Sequence, residues 1–348
     1  MYKEFKIGNK KLGQNNKTFI IAEVGQAHEG KLWKIFKYID AISKTGVDAI
    51  KFQTHIAEEE STLDEPFRKN FNFKIKNRFE YWKSVEFSLN EWKRIKKYAE
   101  KKGLIFLTSV FSIKAARMMK KIGIKALKLG SGEFQSFDLM QEIINLKIPI
   151  LVSTGVANYK EINKVNLFFK KRNAKFGIFQ CTSSYPLDLS RVGVNVIDEF
   201  KKKYKCPVGL SDHSGTIYPS IYSIAKNANI LEVHVVISKK EKGPDVASSV
   251  DINELKKICK INDAIYLMRN SPVNKSILTK DLLKIKKIFG KSIALKNDLL
   301  KGQIIRKDNI LMKKPAIGFK FDEINKVIGK TAKKNISSKR IIRRGDIE

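Results

Sequence analysis

Cysteine, histidine and proline are scarce in this chain, whose 348 residues include 3, 4 and 8 of them respectively. Cys181, Cys206 and Cys259 lack the paired spacing of a disulfide framework, so we expect a reduced, cytoplasmic protein. No apolar run approaches the ~20 residues of a membrane span, and the first residues lack the apolar segment of a signal peptide. The sequence therefore predicts a soluble globular protein with no membrane partner.

Acidic residues are also few, 35 against 69 lysines and arginines, which gives a formal net charge of +34. A basic protein can bind nucleic acid through its phosphates. The lysines here are spread over the predicted helices, as at 201–203 and 256–257, and no nucleic-acid-binding motif is present. We therefore interpret the charge as solvated helix faces, which would favour encounter with anionic substrates, and we do not expect a nucleic-acid partner.

Buried-strand and amphipathic-helix patterns alternate eight times over about 250 residues, the usual length of a (β/α)8 barrel. The predicted strands are residues 19–24, 47–53, 104–108, 126–129, 149–153, 176–180, a seventh ending near 209, and 230–236. An open, doubly wound sheet is the alternative, and it is disfavoured because no glycine-rich nucleotide fingerprint follows the first strand. The predicted fold class is α/β, a (β/α)8 TIM barrel followed by a small β-rich domain.

The domain boundaries follow from changes in pattern. We assign residues 1–270 to the barrel, 271–290 to a Lys-rich linker and 291–348 to the β-rich domain, whose ~60 residues are marginal for independent folding. Residues 56–87 form a polar and aromatic stretch too long for an ordinary βα loop. We expect a lid or a subunit contact there.

The histidines fall at the ends of predicted strands, which in a barrel form the active-site mouth. His28, His55 and His213 follow strands one, two and seven, and His234 lies in strand eight. Because these strands are neighbours in a closed barrel, we expect all four histidines on one side of the mouth. His213 and His234 could bind one divalent ion such as Mn, Fe, Co or Zn, with a packed core histidine as the alternative for either.

Cations, hydroxyls and carboxylates gather at the same mouth. The strand-end lysines and serines are Lys51, Lys128, Ser109, Ser131, Ser153 and Ser211. Because helices cover the outside of a barrel, these side chains are expected to point inward and to bind phosphate or carboxylate. Glu23, Glu133 and Asp245 are the acid–base candidates. Glu133 and Ser131 could instead cap the following helix.

An ordered set of motifs resembles one known family. The motifs are Ile21-Ala-Glu-Val-Gly25, Lys51-Phe-Gln53, Lys128-Leu-Gly-Ser-Gly-Glu133, Ser153-Thr-Gly155, Cys181-Thr182 with Tyr185-Pro186, Gly209-Leu-Ser-Asp-His213 and Gly243-Pro-Asp245. Together they resemble the N-acetylneuraminate (sialic acid) synthases, or nonulosonate synthases, over nearly the whole chain. The tail from Lys291 resembles the C-terminal antifreeze-like (SAF) domain of that family.

The resemblance implies that phosphoenolpyruvate (PEP) condenses with an N-acylated hexose such as N-acetylmannosamine, with C–O cleavage and release of phosphate. The residues it implies are Lys51, Ser109, Lys128, Ser131, Ser153 and Ser211 for PEP; Glu23, Tyr185 and Asp245 for catalysis; Gln53, Ser183, Tyr185, Asp245 and Lys314 for the sugar; and His213 and His234 for a metal. The implied cofactor is a divalent ion, foremost Mn²⁺, with Mg²⁺ or Co²⁺ as alternatives. The resemblance also implies a domain-swapped homodimer, because in this family the SAF domain reaches the active site of the partner subunit.

Several positions depart from the family pattern, mainly around the acceptor sugar. They are Gln26-Ala27 where an Asn usually precedes the His, Ser183 in place of Asn, Val233 in place of Lys, Val246 in place of His, and Lys314 in place of an Arg whose bidentate fork Lys lacks. We therefore expect the reaction to be retained and leave legionaminic or pseudaminic acid precursors open as acceptors. The alternatives are a PEP-dependent 3-deoxy-ulosonate synthase that uses a phosphorylated aldose, and a non-catalytic basic barrel that binds polyanions.

Overall fold

The structure is a computed structural model that describes residues 4–67, 75, 77–243 and 245–348. Part of the long stretch 56–87, and Pro244 of the predicted Gly243-Pro-Asp245 motif, lie outside the described residues. The chain divides into two compact units, Met1–Ser271 and Pro272–Glu348. We describe each unit by itself.

A closed parallel barrel forms the centre of the first unit. After a hairpin of β1 (Phe5–Ile7) and β2 (Lys10–Leu12), its strands are β3 (Phe19–Gly25), β4 (Ala49–Thr54), β5 (Ile105–Val110), β6 (Leu127–Leu129), β7 (Ile150–Ser153), β8 (Phe176–Cys181), β9 (Val208–Asp212) and β10 (Ile230–Val236). Each strand pairs with the next, and β10 pairs with both β9 and β3, which closes the sheet. A short strand β11 (Ser249–Asp251) adds to β10 in parallel. The predicted (β/α)8 barrel is confirmed.

Ten helices lie in the described part of this unit, and all except the second and third bury apolar residues in one core with the barrel strands. They are α1 (Leu32–Ile42), α2 (Ala57–Glu60), α3 (Arg78–Ser84), α4 (Leu89–Lys101), α5 (Ile113–Lys121), α6 (Phe137–Asn145), α7 (Tyr159–Lys171), α8 (Val196–Tyr204), α9 (Tyr218–Ala225) and α10 (Ile252–Arg269). In α4 a capping box between Ser88 and Glu91 starts the helix, and Trp92, Ile95 and Ala99 are buried at helical spacing. Among the described helices, none is long and apolar enough to cross a membrane.

Every second side chain along a strand points into the barrel, and these side chains fill the interior from its bottom to its mouth. One apolar cluster joins the hairpin to the lower parts of the strands, and its buried members are Phe5, Ile7, Leu12, Phe19, Ile21, Ala49, Leu107, Ala126, Leu151, Phe179 and Ile230. Two residues beyond a member of this cluster stand Glu23, Lys51, Ser109, Lys128 and Ser153. The same strand faces therefore change from apolar at the bottom to polar at the mouth, which positions the site.

The second unit is built on a small antiparallel sheet. Its elements are α11 (Lys280–Phe289), β12 (Ser292–Leu295) and β13 (Ile310–Lys313), and β12 pairs with β13. An apolar cluster that includes Ile293, Leu295 and Val327 forms its own core. The helix α11, whose first turn Thr279 caps, lies inside the stretch 271–290. The sequence assigned this stretch to a linker because its Lys-rich composition hid the helix.

Candidate active site

A cavity of about 490 Å³ opens at the C-terminal ends of the barrel strands. The predicted site residues that line it are Glu23, Lys51, Gln53, Ser109, Lys128, Ser131, Ser153, Ser183, Tyr185, Ser211, His213 and His234. Asp245 is not among the lining residues but lies close by, with its Oδ2 3.9 Å from His234 Nδ1. Lys314 belongs to the second unit, where its ammonium lies 5.4 Å from the centroid of the Phe289 ring.

Two buried lysines form the floor of the cavity, and each meets a buried glutamate. Lys51 Nζ, from β4, lies 2.7 Å from Glu23 Oε2 of the neighbouring β3. Lys128 Nζ, from β6, lies 2.5 Å from Glu232 Oε1 of β10. The sequence assigned no role to Glu232, although its position two residues before His234 places both on the same face of β10.

The Glu232 carboxyl of the Lys128–Glu232 pair is ionised at neutral pH. Burial alone would raise the pKa of Glu232, but Lys128 and Lys51, the latter 3.8 Å away, lower it to about 2. Burial lowers the pKa of Lys128, and the Glu232 carboxylate opposes that shift. The lysines also donate to hydroxyls, Lys51 to Ser109 at 2.8 Å and Lys128 to Ser211 at 3.2 Å. The floor is therefore a buried surface of two lysine–glutamate pairs edged by hydroxyl groups.

His213 and His234 lie on another side of the cavity, with ring centroids 5.2 Å apart. His213 Nδ1 lies 3.2 Å from the carbonyl oxygen of Thr182, which can only accept, so Nδ1 carries the hydrogen and Nε2 the lone pair. The Tyr185 hydroxyl lies 3.1 Å from that Nε2, and its ring stacks on the imidazole at 4.1 Å. Burial, followed by the neighbouring His234, lowers the pKa of His213 to about 3, so its ring is neutral at pH 7.

This pair can hold a divalent ion through two imidazole nitrogens. His213 presents a lone pair on Nε2, and its Nδ1–H bond to a carbonyl is the second contact that commonly orients a metal-binding histidine. His234 Nδ1 is buried and has no hydrogen-bond partner within the described part of the chain. The described residues contain no group of three His, Cys, Asp or Glu with metal-holding geometry, so the fit rests on the two rings.

The serines and Glu133 at the ends of β6 and β7 also face the cavity. Ser131 Oγ accepts a hydrogen bond from the Gly155 N–H at 2.9 Å, which ties the two loops together. Ser153 Oγ is buried and unpaired among the residues that the structure describes. Burial raises the pKa of Glu133, whose carboxylate accepts from Ser136 at 2.7 Å. The following helix α6 has Ser136 at its N-cap and no side-chain cap, so the capping alternative for Ser131 and Glu133 is wrong.

One wall of the cavity comes from the long stretch 56–87. Its lining residues are Glu60, Glu65, Arg78 and Trp82, with His55 and Phe111 from the ends of β4 and β5. The His55 ring is stacked between Trp82, at 4.0 Å, and Phe111, at 4.5 Å. The polar and aromatic composition indicated a functional stretch, but only the fold shows which of its side chains face the cavity.

His28 departs from the prediction that all four histidines meet at the mouth. His55, His213 and His234 line the cavity, whereas His28 does not. Its ring packs 5.2 Å from Phe87, and its Nδ1 accepts from the Gly30 N–H at 3.1 Å. The turn after β3, with positive φ at Glu29 and Gly30, directs this histidine into the core.

The closed barrel and its charged mouth define a (β/α)8-barrel enzyme. The family model of the NeuB family matches residues 38–272, and that of the SAF domain matches residues 290–348. The chain therefore belongs to the NeuB family of PEP-dependent condensing enzymes and carries a C-terminal SAF domain. This confirms the predicted resemblance, the predicted enzyme class and the small second domain.

Known relatives of the chain include synthases of several nonulosonic acids. The chain is 29% identical over 333 residues to N,N'-diacetyllegionaminic acid synthase of Campylobacter jejuni, covering 94% of this chain and 99% of that one. It is 28% identical to the human N-acetylneuraminate-9-phosphate synthase, covering 92% and 89%. The crystal structure of N-acetylneuraminic acid synthetase from Leptospira borgpetersenii superimposes with a TM-score of 0.71 at 28% identity, covering 82% and 96%.

Proposed function

We propose that the chain is a nonulosonic (sialic-acid-type) acid synthase that condenses PEP with an N-acylated hexose such as N-acetylmannosamine. The observation that carries the proposal is the floor of the cavity, where buried Lys51 and Lys128 lie among hydroxyls in the same cavity as His213 and His234. Two fixed ammonium groups in a buried site match a small substrate that carries a carboxylate and a phosphate.

PEP is assigned to this floor. The ammonium groups of Lys51 and Lys128 would donate hydrogen bonds to its two anionic groups. The hydroxyls that would complete its hydrogen bonds are Ser109, Ser131, Ser153 and Ser211, all of which line the cavity. The unpaired hydroxyl of Ser153 supports this assignment, because a buried polar group without a protein partner has hydrogen-bonding capacity left for a ligand.

The chemistry follows from the groups around the floor. Carbon 3 of PEP would attack the aldehyde carbon of the open-chain sugar, water would add at carbon 2, and cleavage of the C–O bond would expel phosphate. The Glu23 carboxylate, held by Lys51 and by a 2.9 Å bond from Gln53 Nε2, would orient that water and take its proton. A divalent ion on His213 and His234, foremost Mn²⁺ with Mg²⁺ or Co²⁺ as alternatives, would supply Lewis-acid polarisation of the aldehyde oxygen.

The acceptor is assigned to the histidine side and the outer wall. Gln53, Ser183 and Tyr185 line the cavity there, and Asp245 approaches His234. The described outer lining also holds the carboxylates of Glu60, Glu65 and Glu133, whereas its cation Arg78 lies 3.3 Å from Glu65. Such a lining would repel the phosphate of a phosphorylated aldose, which supports an N-acylated sugar without a phosphate group as the acceptor. The departures at Ser183 and Lys314 leave its identity open among N-acetylmannosamine and legionaminic or pseudaminic precursors.

We also infer a domain-swapped homodimer in the cytoplasm. Lys314 belongs to the proposed sugar set yet lies in the second unit, and a SAF domain that serves the partner's site would account for this. The helix α11 of that unit leaves large apolar side chains exposed, namely Leu282, Leu283, Ile285, Ile288 and Phe289. Free, buried cysteines throughout the described chain are consistent with a reducing compartment.

Phosphate release from PEP with Mn²⁺ tests this proposal against a panel of free and phosphorylated sugars. We expect release with one N-acylated free hexose, and its loss both on chelation and in a His213→Ala variant. Restoration of release by added Mn²⁺ in the wild type, but not in the variant, is the control for damage by the chelator. Release with a phosphorylated aldose alone would instead identify a 3-deoxy-ulosonate synthase.

A further inference from the structure

A chain of hydrogen bonds runs from the cavity wall to Glu23. Glu60 Oε1 contacts His55 Nδ1, and His55 Nε2 lies 3.2 Å from Gln53 Oε1. Gln53 Nε2 in turn donates to Glu23 Oε1 at 2.9 Å. All four residues line the cavity, but the proposed reaction leaves His55 without a role.

The direction of each hydrogen bond follows from the carboxylate at the end. Glu23, which faces the Lys51 ammonium at 2.7 Å, accepts, so Gln53 must turn its NH₂ group toward it and its carbonyl oxygen toward His55. His55 Nε2 must then carry a hydrogen. Gln26 Nε2 donates to the same carbonyl oxygen at 3.1 Å, so two donors hold the Gln53 amide in this orientation.

Glu60 holds the other nitrogen of the His55 ring. Its Oε1 meets Nδ1 of the ring, and its Oε2 accepts from the Ile56 N–H at 3.3 Å. Because Nε2 must carry a hydrogen toward Gln53 Oε1, the Nδ1–Glu60 contact needs a second proton, which the ring and the carboxylate share. The interplanar angles of 12° to Trp82 and 8° to Phe111 show that the ring lies flat between two aromatic faces, which prevents its rotation.

We propose that His55 is a positioning residue that acts through Gln53 to aim the Glu23 carboxylate at the reacting carbons. Without the hydrogen on Nε2, the amide of Gln53 loses one of the two donors that hold it and can turn its carbonyl toward Glu23. The bond to Glu23 then becomes a repulsion between two acceptors. The inference rests on the proposed function, because the catalytic role of Glu23 belongs to that function.

The test is a His55→Phe variant, which keeps a flat ring between Trp82 and Phe111 but has no hydrogen to donate. We expect kcat to fall about 10- to 100-fold, the usual effect of losing such a supporting bond, with little change in the KM for PEP because Lys51 and Lys128 are untouched. His55→Gln, whose amide nitrogen can reach the position of Nε2, should recover part of the loss. A purely structural role for His55 would lower the melting temperature and leave kcat per folded molecule unchanged.

The matched control is the same substitution in a Gln53→Ala background. If His55 acts through Gln53, His55→Phe should change kcat less than about 2-fold there, because the group it positions is already gone. An equal loss in both backgrounds would overturn the proposal. Should His55→Phe fail to fold, His55→Leu, which likewise has no hydrogen to donate, is measured in the same two backgrounds and is expected to show the same dependence on Gln53.

The two hypotheses fail in different ways. A wild-type protein without turnover on PEP and any sugar overturns the proposed function, and with it the role of His55. A wild-type protein with turnover, and a folded His55→Phe variant of equal kcat, overturns the role of His55 alone.

Discussion

At the scale of single residues, the floor of the cavity combines charges that would be costly to bury separately. Lys128 and Glu232 are both almost fully buried, and each compensates the other at 2.5 Å. A buried ion pair is often no more stable than an apolar replacement, whereas removal of one partner leaves an uncompensated charge. The arrangement is therefore better explained by anion binding than by stability.

Replacement of Lys128 by Met tests this explanation. The variant keeps a long side chain but leaves Glu232 with the Ser211 hydroxyl and with Lys51 at 3.8 Å, so we expect the free energy of unfolding to fall by about 3–5 kcal/mol in urea titrations. PEP-dependent turnover should be lost as well. A second substitution, Glu232→Gln, removes the stranded charge and should restore most of the stability but none of the turnover. A single variant as stable as the wild type would contradict the account.

The sequence predicted some of the residues that line the cavity and missed others. Strand-end lysines and serines could be found because a strand's periodicity and its C-terminal end are both local signals, as for Lys51 and Ser153. Glu60 and Trp82 could not, because their approach to the cavity depends on how the chain folds back after β4. His28 shows the converse: a strand-end position does not fix side-chain direction once a left-handed turn intervenes.

At the scale of elements, the alternation of strand and helix patterns was sufficient to predict the barrel. It did not predict the β1–β2 hairpin, which covers the bottom of the barrel. The hairpin β1–β2 has strands of three residues, too short to leave a periodic signal, and its burial depends on contacts with Phe19 and Ile21 in the lower barrel. The helix α11 was missed for a different reason, since its apolar positions alternate with lysines and its residues are not buried in its own unit. Tertiary context, not local propensity, decides both cases.

Asp346, in the last turn of the second unit, is expected to make the stability of that unit depend on pH. Burial would raise the pKa of its carboxyl, but hydrogen bonds from Arg340, the Arg343 N–H and Lys334 lower it to about 2, below its value in an unfolded chain. A lowered pKa contributes stability above the unfolded pKa near 4, and this is lost as the pH falls toward 2. The contribution at pH 7 is on the order of 2 kcal/mol.

Hydrogen exchange of the backbone in β12 and β13 of the full-length protein measures this contribution. In the wild type, protection should fall between pH 4 and pH 2 beyond the intrinsic change of exchange rate. Asp346→Asn should already be less protected at pH 7 and should lose less over the same interval. Parallel pH profiles for the two proteins would show that the carboxylate does not support this unit.

At the scale of the whole molecule, the net charge of +34 fits the small anionic substrate of the proposed function. In the proposed function, the net positive charge would draw PEP toward the barrel, and the buried lysines at the floor would bind it. Composition alone could not separate this use of charge from nucleic-acid binding. The ordered motifs at the strand ends could, because they place lysine, serine and imidazole at one mouth.

The most direct test of the whole account is the fate of the bridging oxygen of PEP. PEP labelled with ¹⁸O between carbon 2 and phosphorus would be incubated with the protein, Mn²⁺ and the N-acylated hexose that supports release, and the phosphate would be analysed by mass spectrometry. Attack through carbon 3 with C–O cleavage predicts that the label leaves with phosphate. Unlabelled phosphate, with the ¹⁸O retained in the organic product, would mean P–O cleavage and would contradict the proposed synthase reaction.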